Sequence, residues 1–135
     1  MVDHVDKKKR SQIMASVKQK NTSAELRLRR RLHKHGYRYR LHRKDLPGRP
    51  NIVFPSRRKV ILVHGCFWHG HSCKWGKLPK SRLDYWQKKI AGNRDRDMRT
   101  IQELKSLGWT VMVVWQCELK DWDLLWPRIL AFLGE

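Results

Sequence analysis

Two cysteines and three histidines crowd into residues 64–73, HGCFWHGHSC, directly after an apolar run. The chain has 3 Cys in all, and the remaining one, Cys117, follows a second apolar run. One irregular loop can aim Cys66, His71 and Cys73 at a point, and Cys117 supplies the fourth ligand of a closed tetrahedral zinc site. Such a zinc would clip the loop to the sheet and replace core that a loop of this composition does not provide.

The alternative interpretation of these residues is structural. Cys66 and Cys73 would then be ordinary buried thiols and His71 a surface histidine, because the spacing is not that of a paired double-knuckle motif. The odd cysteine count and the lack of a secretory signal favour reduced thiols in a cytosolic protein over a disulfide framework. Four protein ligands leave no open position on a zinc ion, so we expect a structural zinc, and catalysis would need other residues.

The charge of the chain favours nucleic acid as its partner. The 135 residues, the size of one domain, carry 31 Lys and Arg against 12 Asp and Glu, a formal net charge of +19. Basic side chains release counterions from phosphates, and aromatic side chains, including 7 Trp, can stack on bases. No apolar stretch approaches the roughly 20 residues of a membrane span, so we expect no membrane partner.

Periodicity and turn residues predict a mixed α/β fold, a sheet flanked by helices. A basic segment over residues 1–20 opens the chain, with Ile13, Met14 and Val17 on one helical face. The next predicted elements are a helix over 21–36 with a Thr22 and Glu25 capping box, a short strand over 37–42, a turn over 46–50, and hairpin strands over 51–54 and 59–64. After these we expect a helix from Ser81 to Leu107, begun by Ser81 and Asp84, and a strand over 109–115 that is buried on both faces. The last predicted element is a helix from Asp121 to Phe132 that Pro127 bends or interrupts.

A second set of residues suggests a nuclease. Magnesium-dependent cleavage of a phosphodiester needs oxygen ligands for the metal and a base for the attacking water. Asn51 begins one hairpin strand and Val63 and His64 end the next, so we expect them to be neighbours, with Glu25 on the preceding helix. His69 could take a proton from water, since the unperturbed pKa of histidine lies near neutrality.

The motifs LPGRPNIVF, HGCFWHGHSC, SRLDYWQKKIAGNRDRD and LGWTVMVVWQCEL, in this order, resemble those of the very short patch repair (Vsr) endonucleases. The resemblance runs from about Arg10 to Leu119. It implies a restriction-endonuclease-like core and an enzyme that recognises T:G mismatches left by deamination of 5-methylcytosine. It also implies a nick on the 5′ side of the thymine, in bacterial cytoplasm and in association with the nucleoid.

The resemblance also implies residue roles. The structural zinc would be bound by Cys66, His71, Cys73 and Cys117, in agreement with the count made from spacing. Catalysis would use His64, His69 and Glu25, and a catalytic Mg²⁺ would also touch the main-chain carbonyl of Val63. Asn51 departs from the family, which has an aspartate there as the principal magnesium ligand. An amide lacks the charge that offsets a divalent ion, so we expect DNA binding with impaired cleavage.

A T:G pair unstacks readily, and apolar wedges inserted beside it can exploit this. The resemblance implies DNA contacts by Phe67, Trp68, Trp86, Lys89, Asn93 and, from the minor-groove side, Met14 and Val17. From the residues alone, Trp86 could instead be a core contact, and Lys89 and Asn93 could simply be solvated.

Two other functions fit the sequence. One is a non-catalytic zinc module that binds DNA or RNA. Asn51 favours this function, but such a module would not need Glu25, His64 and His69 together. The other is a homing or restriction nuclease with the same core and a different target. For a Vsr-type enzyme we expect a monomer that works with the mismatch-repair protein MutL and a repair DNA polymerase.

Overall fold

A four-stranded mixed sheet in the order β1-β2-β3-β4 forms the centre of the computed structural model, which describes residues 22–134. The basic segment over residues 1–20, with the helical face of Ile13, Met14 and Val17, lies outside the described residues. The strands are β1 (Arg40–Leu41), β2 (Ile52–Phe54), β3 (Lys59–His64) and β4 (Thr110–Trp115), and the helices are α1 (Ser23–Lys34), α2 (Leu83–Ser106) and α3 (Trp122–Leu133). Short 3₁₀ helices cover Pro55–Arg57, Lys74–Gly76 and Gln116–Lys120. The predicted mixed α/β class is confirmed.

The strand pairing decides where the functional loops meet. β2 and β3 form the predicted antiparallel hairpin, whereas β3 and β4 run parallel, with His64 opposite Trp115. Because parallel strands end at the same edge of a sheet, the loops that follow His64 and Trp115 start side by side. This pairing places the cysteine-containing loop next to the chain around Cys117.

The sheet is buried on both faces at its middle strands. One core cluster includes Leu28, Leu32, Ile52, Phe54 and Ile61 and takes in α1 and α3. Alternate residues of β2 and β3 point to the other face, where they pack against α2 in a second cluster with Leu46, Val53, Val60, Leu104 and Trp109. The strands most deeply enclosed are therefore β2, which directly follows Asn51, and β3, which ends at His64.

Two predictions about the second half of the chain are wrong in part. β4 was expected to be buried on both faces, but it is an edge strand of the described sheet, and only Val114 in it is fully buried. The capping box at Ser81 is absent: α2 is preceded by Arg82 in a left-handed conformation, with no side-chain cap. An apolar run thus predicts a strand but not the position of that strand in the sheet. The end of α2 at Gly108 is as predicted.

The two shorter helices largely follow the sequence. Thr22 caps α1 by accepting a hydrogen bond from the Glu25 amide at 3.2 Å, and Gly36 follows the helix with a φ of +88°. α3 is continuous through Pro127, so the expected interruption does not occur. Among the described residues, none of the helices combines the length and apolar character that crossing a membrane requires.

Candidate active site and metal cluster

Asn51 lies at the centre of a partly buried polar network between α1 and the hairpin. Its side-chain oxygen accepts the Val63 amide at 2.8 Å, and its side-chain nitrogen donates to Glu25 Oε1 at 2.7 Å. This orientation of the amide is forced, since a peptide N–H only donates and a carboxylate only accepts. The structure thus brings together Asn51, Val63 and Glu25, three of the residues that the sequence placed in one site.

Two further residues that the sequence analysis missed also contact Glu25. His42 Nε2 lies 3.0 Å from Glu25 Oε1 and 2.9 Å from Oε2, and Arg29 Nη1 donates to Oε2 at 3.2 Å. Glu25 is only 1% exposed, so its charge needs these partners. Arg29 could have been found from its spacing of four residues from Glu25 on a helix, whereas His42 gave no comparable signal.

His64 and His69 form the second part of the site. Their rings stack at 4.0 Å, and His69 Nδ1 lies 2.5 Å from Asp97 Oδ2. Burial, followed by the neighbouring His69, lowers the pKa of His64 to about 4, so this ring is neutral at neutral pH. Asp97 was also missed, although it lies four residues after Asn93 on the same helix. Asp97 is thereby paired with the His69 ring, and the other face of the site is formed by the stacked His64 ring.

The four residues predicted to bind zinc are brought together. One ligand atom from each of Cys66, His71, Cys73 and Cys117 lies within 4.8 Å of the others, and the cysteines form no disulfide. A tetrahedral ion with bonds of about 2.3 Å to sulfur needs ligand atoms separated by roughly 3.8 Å, so the cluster can hold a metal ion. Burial raises the pKa of the Cys66 thiol to about 12, and a cation that binds thiolate would reverse that shift.

The loop that carries the cluster is folded tightly on itself. His71 donates its amide to the Cys66 carbonyl at 2.9 Å, and its ring stacks on Trp115 at 4.2 Å. Gly76 passes so close that a Cβ there would lie 1.9 Å from the His71 carbonyl oxygen. The Cys117 amide also donates to the Cys66 sulfur at 3.3 Å, which joins the loop to the chain after β4.

The aromatic residues proposed as wedges form one partly exposed cluster beside the loop. Ring centroids of Phe67 and Trp86 lie 5.2 Å apart, and those of Trp68 and Trp86 lie 5.9 Å apart. Asn93 donates to the Trp68 carbonyl at 2.9 Å, so its side-chain nitrogen holds the loop. Lys89 is exposed on α2, whereas Met14 and Val17 lie outside the described residues.

Comparison with known proteins gives a consistent result over the whole chain. A family model described as DNA mismatch endonuclease Vsr matches residues 2–75. The type II nicking enzyme V.XorIIP of Xanthomonas oryzae is 57% identical, with 98% of each chain covered. The type II nicking enzyme V.NmeAIP of Neisseria meningitidis is 43% identical over 100% of this chain and 96% of its own. The DNA mismatch endonuclease Vsr of Escherichia coli is 42% identical over 97% of this chain and 84% of its own.

Substitution of Gly76 by alanine tests whether the fold of the loop maintains the metal cluster. Because the added Cβ would collide with the backbone at His71, we expect Gly76→Ala to lose most of the metal bound by the purified protein. Metal content measured by mass spectrometry of the protein is the readout. Gly92→Ala is the matched control, since nothing lies within 4 Å of a Cβ at that position. Full metal occupancy in Gly76→Ala would contradict this prediction.

Proposed function

The chain belongs to the Vsr family of DNA mismatch and nicking endonucleases, and from this premise we propose that it recognises T:G mismatches in double-stranded DNA. Such mismatches arise when 5-methylcytosine deaminates, and the reaction of the proposed enzyme is a nick on the 5′ side of the thymine that begins very short patch repair. We also propose that Asn51 makes this chain competent for binding but impaired in cleavage. The contact of Asn51 with Glu25 is the observation that supports impairment.

The argument depends on what an aspartate would do in place of Asn51. One of its oxygens would accept the Val63 amide, and the other would face Glu25 Oε1 at the 2.7 Å now spanned by an N–H···O bond. Two carboxylate oxygens at that distance repel each other unless a proton or a cation lies between them. With asparagine at residue 51, a hydrogen bond takes the place of the cation that two carboxylates would need between them. The site also carries one negative charge fewer.

The residues present therefore fit Mg²⁺ poorly. The family resemblance assigns the ion to residue 51 and to the main-chain carbonyl of Val63, where it would stabilise charge on the phosphate and lower the pKa of water. In this chain the Asn51 oxygen already accepts a hydrogen bond and its nitrogen points at the carboxylate. We propose that the Asn51→Asp variant binds Mg²⁺ at this site.

The metal cluster fits Zn²⁺ well. Three cysteines and one histidine are a ligand set typical of structural zinc, and four protein ligands leave no position for water. We propose that Cys66, His71, Cys73 and Cys117 hold a structural zinc that fixes the loop between His64 and Lys77. Its function is mechanical, because the hydrolytic residues stand outside the ligand set.

The proton transfers are assigned to the two histidines. A hydrogen bond from His69 Nδ1–H to Asp97 leaves the lone pair on Nε2, the tautomer that can accept a proton from the attacking water. His64 is neutral and lies against His69, where its ring can donate a hydrogen bond to the phosphate. Asp97 acts through His69 and is a positioning residue.

Mismatch recognition is assigned to the aromatic cluster. Phe67, Trp68 and Trp86 form a partly exposed set of rings suited to insertion at a weakly stacked step. We propose that Lys89 and Asn93 contact the DNA nearby, Asn93 partly by holding Trp68, and that Met14 and Val17 enter from the minor groove. The protein would act as a monomer, with MutL and a repair polymerase as partners.

A non-catalytic DNA-binding module is the second candidate function. Asn51 favours it, because the hydrogen-bonded site is complete without a cation. The contacts of His69 with Asp97 and with His64 favour the nuclease, since binding alone does not need them. The two functions differ in what restoration of an acid at residue 51 should do.

Restoration of the acid should restore cleavage. We expect Asn51→Asp to nick a T:G duplex in Mg²⁺ at least about 100-fold faster than the unsubstituted chain, because it supplies the missing charge for the cation. Single-turnover nicking on a labelled duplex measures this, with a T:A duplex beside it. Gln102→Glu, which adds the same charge at an exposed position of α2, should give no such gain. Comparable rates for Asn51→Asp and the unsubstituted chain would support the non-catalytic module.

Asp97 should matter for the rate and not for binding. In the Asn51→Asp background, Asp97→Asn should slow nicking by about 100-fold or more, because the His69 tautomer is no longer fixed. The pH profile of the single-turnover rate should change its shape, while the affinity for T:G DNA stays within about two-fold. Asp95→Asn, an exposed acid on the same helix, is the control. An unaltered rate and pH profile in Asp97→Asn would show that the carboxylate has no role in positioning.

The aromatic cluster of Phe67, Trp68 and Trp86 should determine the preference for T:G over T:A pairs. Phe67→Ala should reduce the ratio of T:G to T:A affinity by about ten-fold, the worth of one stacking contact. Binding is measured by fluorescence anisotropy on duplexes that differ in the one pair. Leu124→Ala removes an exposed side chain on α3, 70% exposed, and should leave the ratio unchanged. Equal weakening of both duplexes by Phe67→Ala would mean that the ring adds affinity without discrimination.

A further inference from the structure

The basic run RLRRR in α1 reaches beyond the proposed active site. Arg29, within that run, pairs with the buried carboxylate of Glu25. The other basic residues of the helix recur at intervals of three and four, so they share one face: Arg27, Arg30, Arg31 and Lys34. Because Glu25 is two residues before Arg27, it lies on nearly the opposite side of the helix from that face. The basic face is therefore a feature of its own.

This face lines an open groove of about 360 Å³ between α1 and the start of α3. The side chains that form this basic groove are those of Arg27, Arg30, Arg31, Lys34, His35 and Trp122. Arg30 and Lys34 are exposed to solvent. No acidic side chain lines the groove, and within residues 22–134 none of its arginines or its lysine forms an ion pair. Cations gathered in this way repel one another, so the groove favours an anionic ligand.

Two of the cations are fixed by contacts within the protein. The Arg31 guanidinium carbon lies 4.7 Å from the ring centroid of Trp122 and 5.2 Å from that of Trp126. Arg27 Nη2 donates to the Leu119 carbonyl at 3.1 Å. Side chains that are held before binding lose less conformational freedom when a ligand arrives. The basic groove is thus partly organised for its ligand in advance.

We propose that the basic groove binds backbone phosphates of the DNA substrate outside the mismatch. From Arg27 to Lys34 the helix rises about 10.5 Å, and a DNA strand places about three phosphates along that length of its axis. A row of cations with this spacing suits a regular polyanion better than an acidic peptide. The inference deepens the proposed function and rests on it, since the ligand is the DNA that the active site is proposed to cut.

The position of the groove supports the same ligand. The contact of Arg27 with Leu119 joins the groove to the 3₁₀ helix Gln116–Lys120, which directly follows β4. β4 ends opposite His64, so the groove adjoins the edge of the sheet that carries the proposed catalytic histidines. A duplex bound at that edge can extend onto α1. Contacts to phosphates would then position the DNA and add affinity without reading its sequence.

The salt dependence of DNA binding tests this inference with the unsubstituted chain as reference. We expect Arg30→Gln combined with Lys34→Gln to reduce the slope of log affinity against log salt concentration by roughly 1.8, because each phosphate contact contributes about 0.9. Affinity at about 0.1 M salt should fall roughly ten-fold or more, equally for T:G and T:A duplexes. Fluorescence anisotropy over a salt series gives both quantities. Arg99→Gln combined with Lys105→Gln removes the same charge from exposed positions of α2 and should change the slope by less than about 0.5.

The outcomes separate the inference from the proposed function. An unchanged slope in Arg30→Gln with Lys34→Gln would overturn the inference and would make an acidic protein the better occupant of the groove. A loss of slope in the α2 control as large as in the α1 variant would also overturn it, since net charge alone would then explain the effect. If thermal unfolding shows that the α1 variant is not folded, Arg30→Gln alone replaces it, with an expected reduction of about 0.9. Equal affinity of the unsubstituted chain for T:G and T:A duplexes, with the slope change intact, would overturn the proposed mismatch recognition alone.

Discussion

The parallel pairing of β3 with β4 is the constraint on which the rest of the structure depends. It aligns His64 with Trp115 at one edge, so the residues that follow the two strands must share the same space. Cys66 and Cys117 are the second residues after those two, and the Cys117 amide donates to the Cys66 sulfur. The metal cluster is thus a product of strand register, and a shift of one residue would separate its halves.

The buried charge of Glu25 couples the fold to the chemistry. A carboxylate enclosed between α1 and the hairpin would be costly alone, and within residues 22–134 the side chains of Arg29, His42 and Asn51 donate to it. Two of those donors, Asn51 and His42, come from the ends of neighbouring strands. A change at residue 51 therefore alters the charge balance of the interior as well as the ligand set of the site. The proposed binding competence and the proposed impairment of cleavage both rest on this network.

From the sequence, the helices and strands were predicted better than the contacts that each of them makes. The four residues of the metal cluster were predicted to lie together because cysteine is rare in this chain and its ligand geometry is restrictive, and Asn51 and Val63 were predicted to be neighbours because hairpin strands bring their ends together. His42 was missed because its role follows from a left-handed φ and a cross-strand position that no local pattern shows. Asp97 was missed because its contact with His69 joins a loop to a helix 28 residues away. The edge position of β4 was missed because an apolar run does not reveal its neighbours.

Rigidity of the aromatic cluster follows from two independent anchors. The residues of the metal cluster contact one another on one side of Phe67 and Trp68, and Asn93 donates to the Trp68 carbonyl from α2. Insertion of a wedge into DNA costs unstacking energy, and a flexible loop would add the cost of ordering its own side chains. A loop that is fixed before binding requires only the unstacking energy, which is smallest at a weakly stacked pair. In the proposed recognition of T:G pairs, discrimination then depends on how firmly the loop is held, and the proposed zinc ligand Cys117 would contribute to it from outside the aromatic cluster.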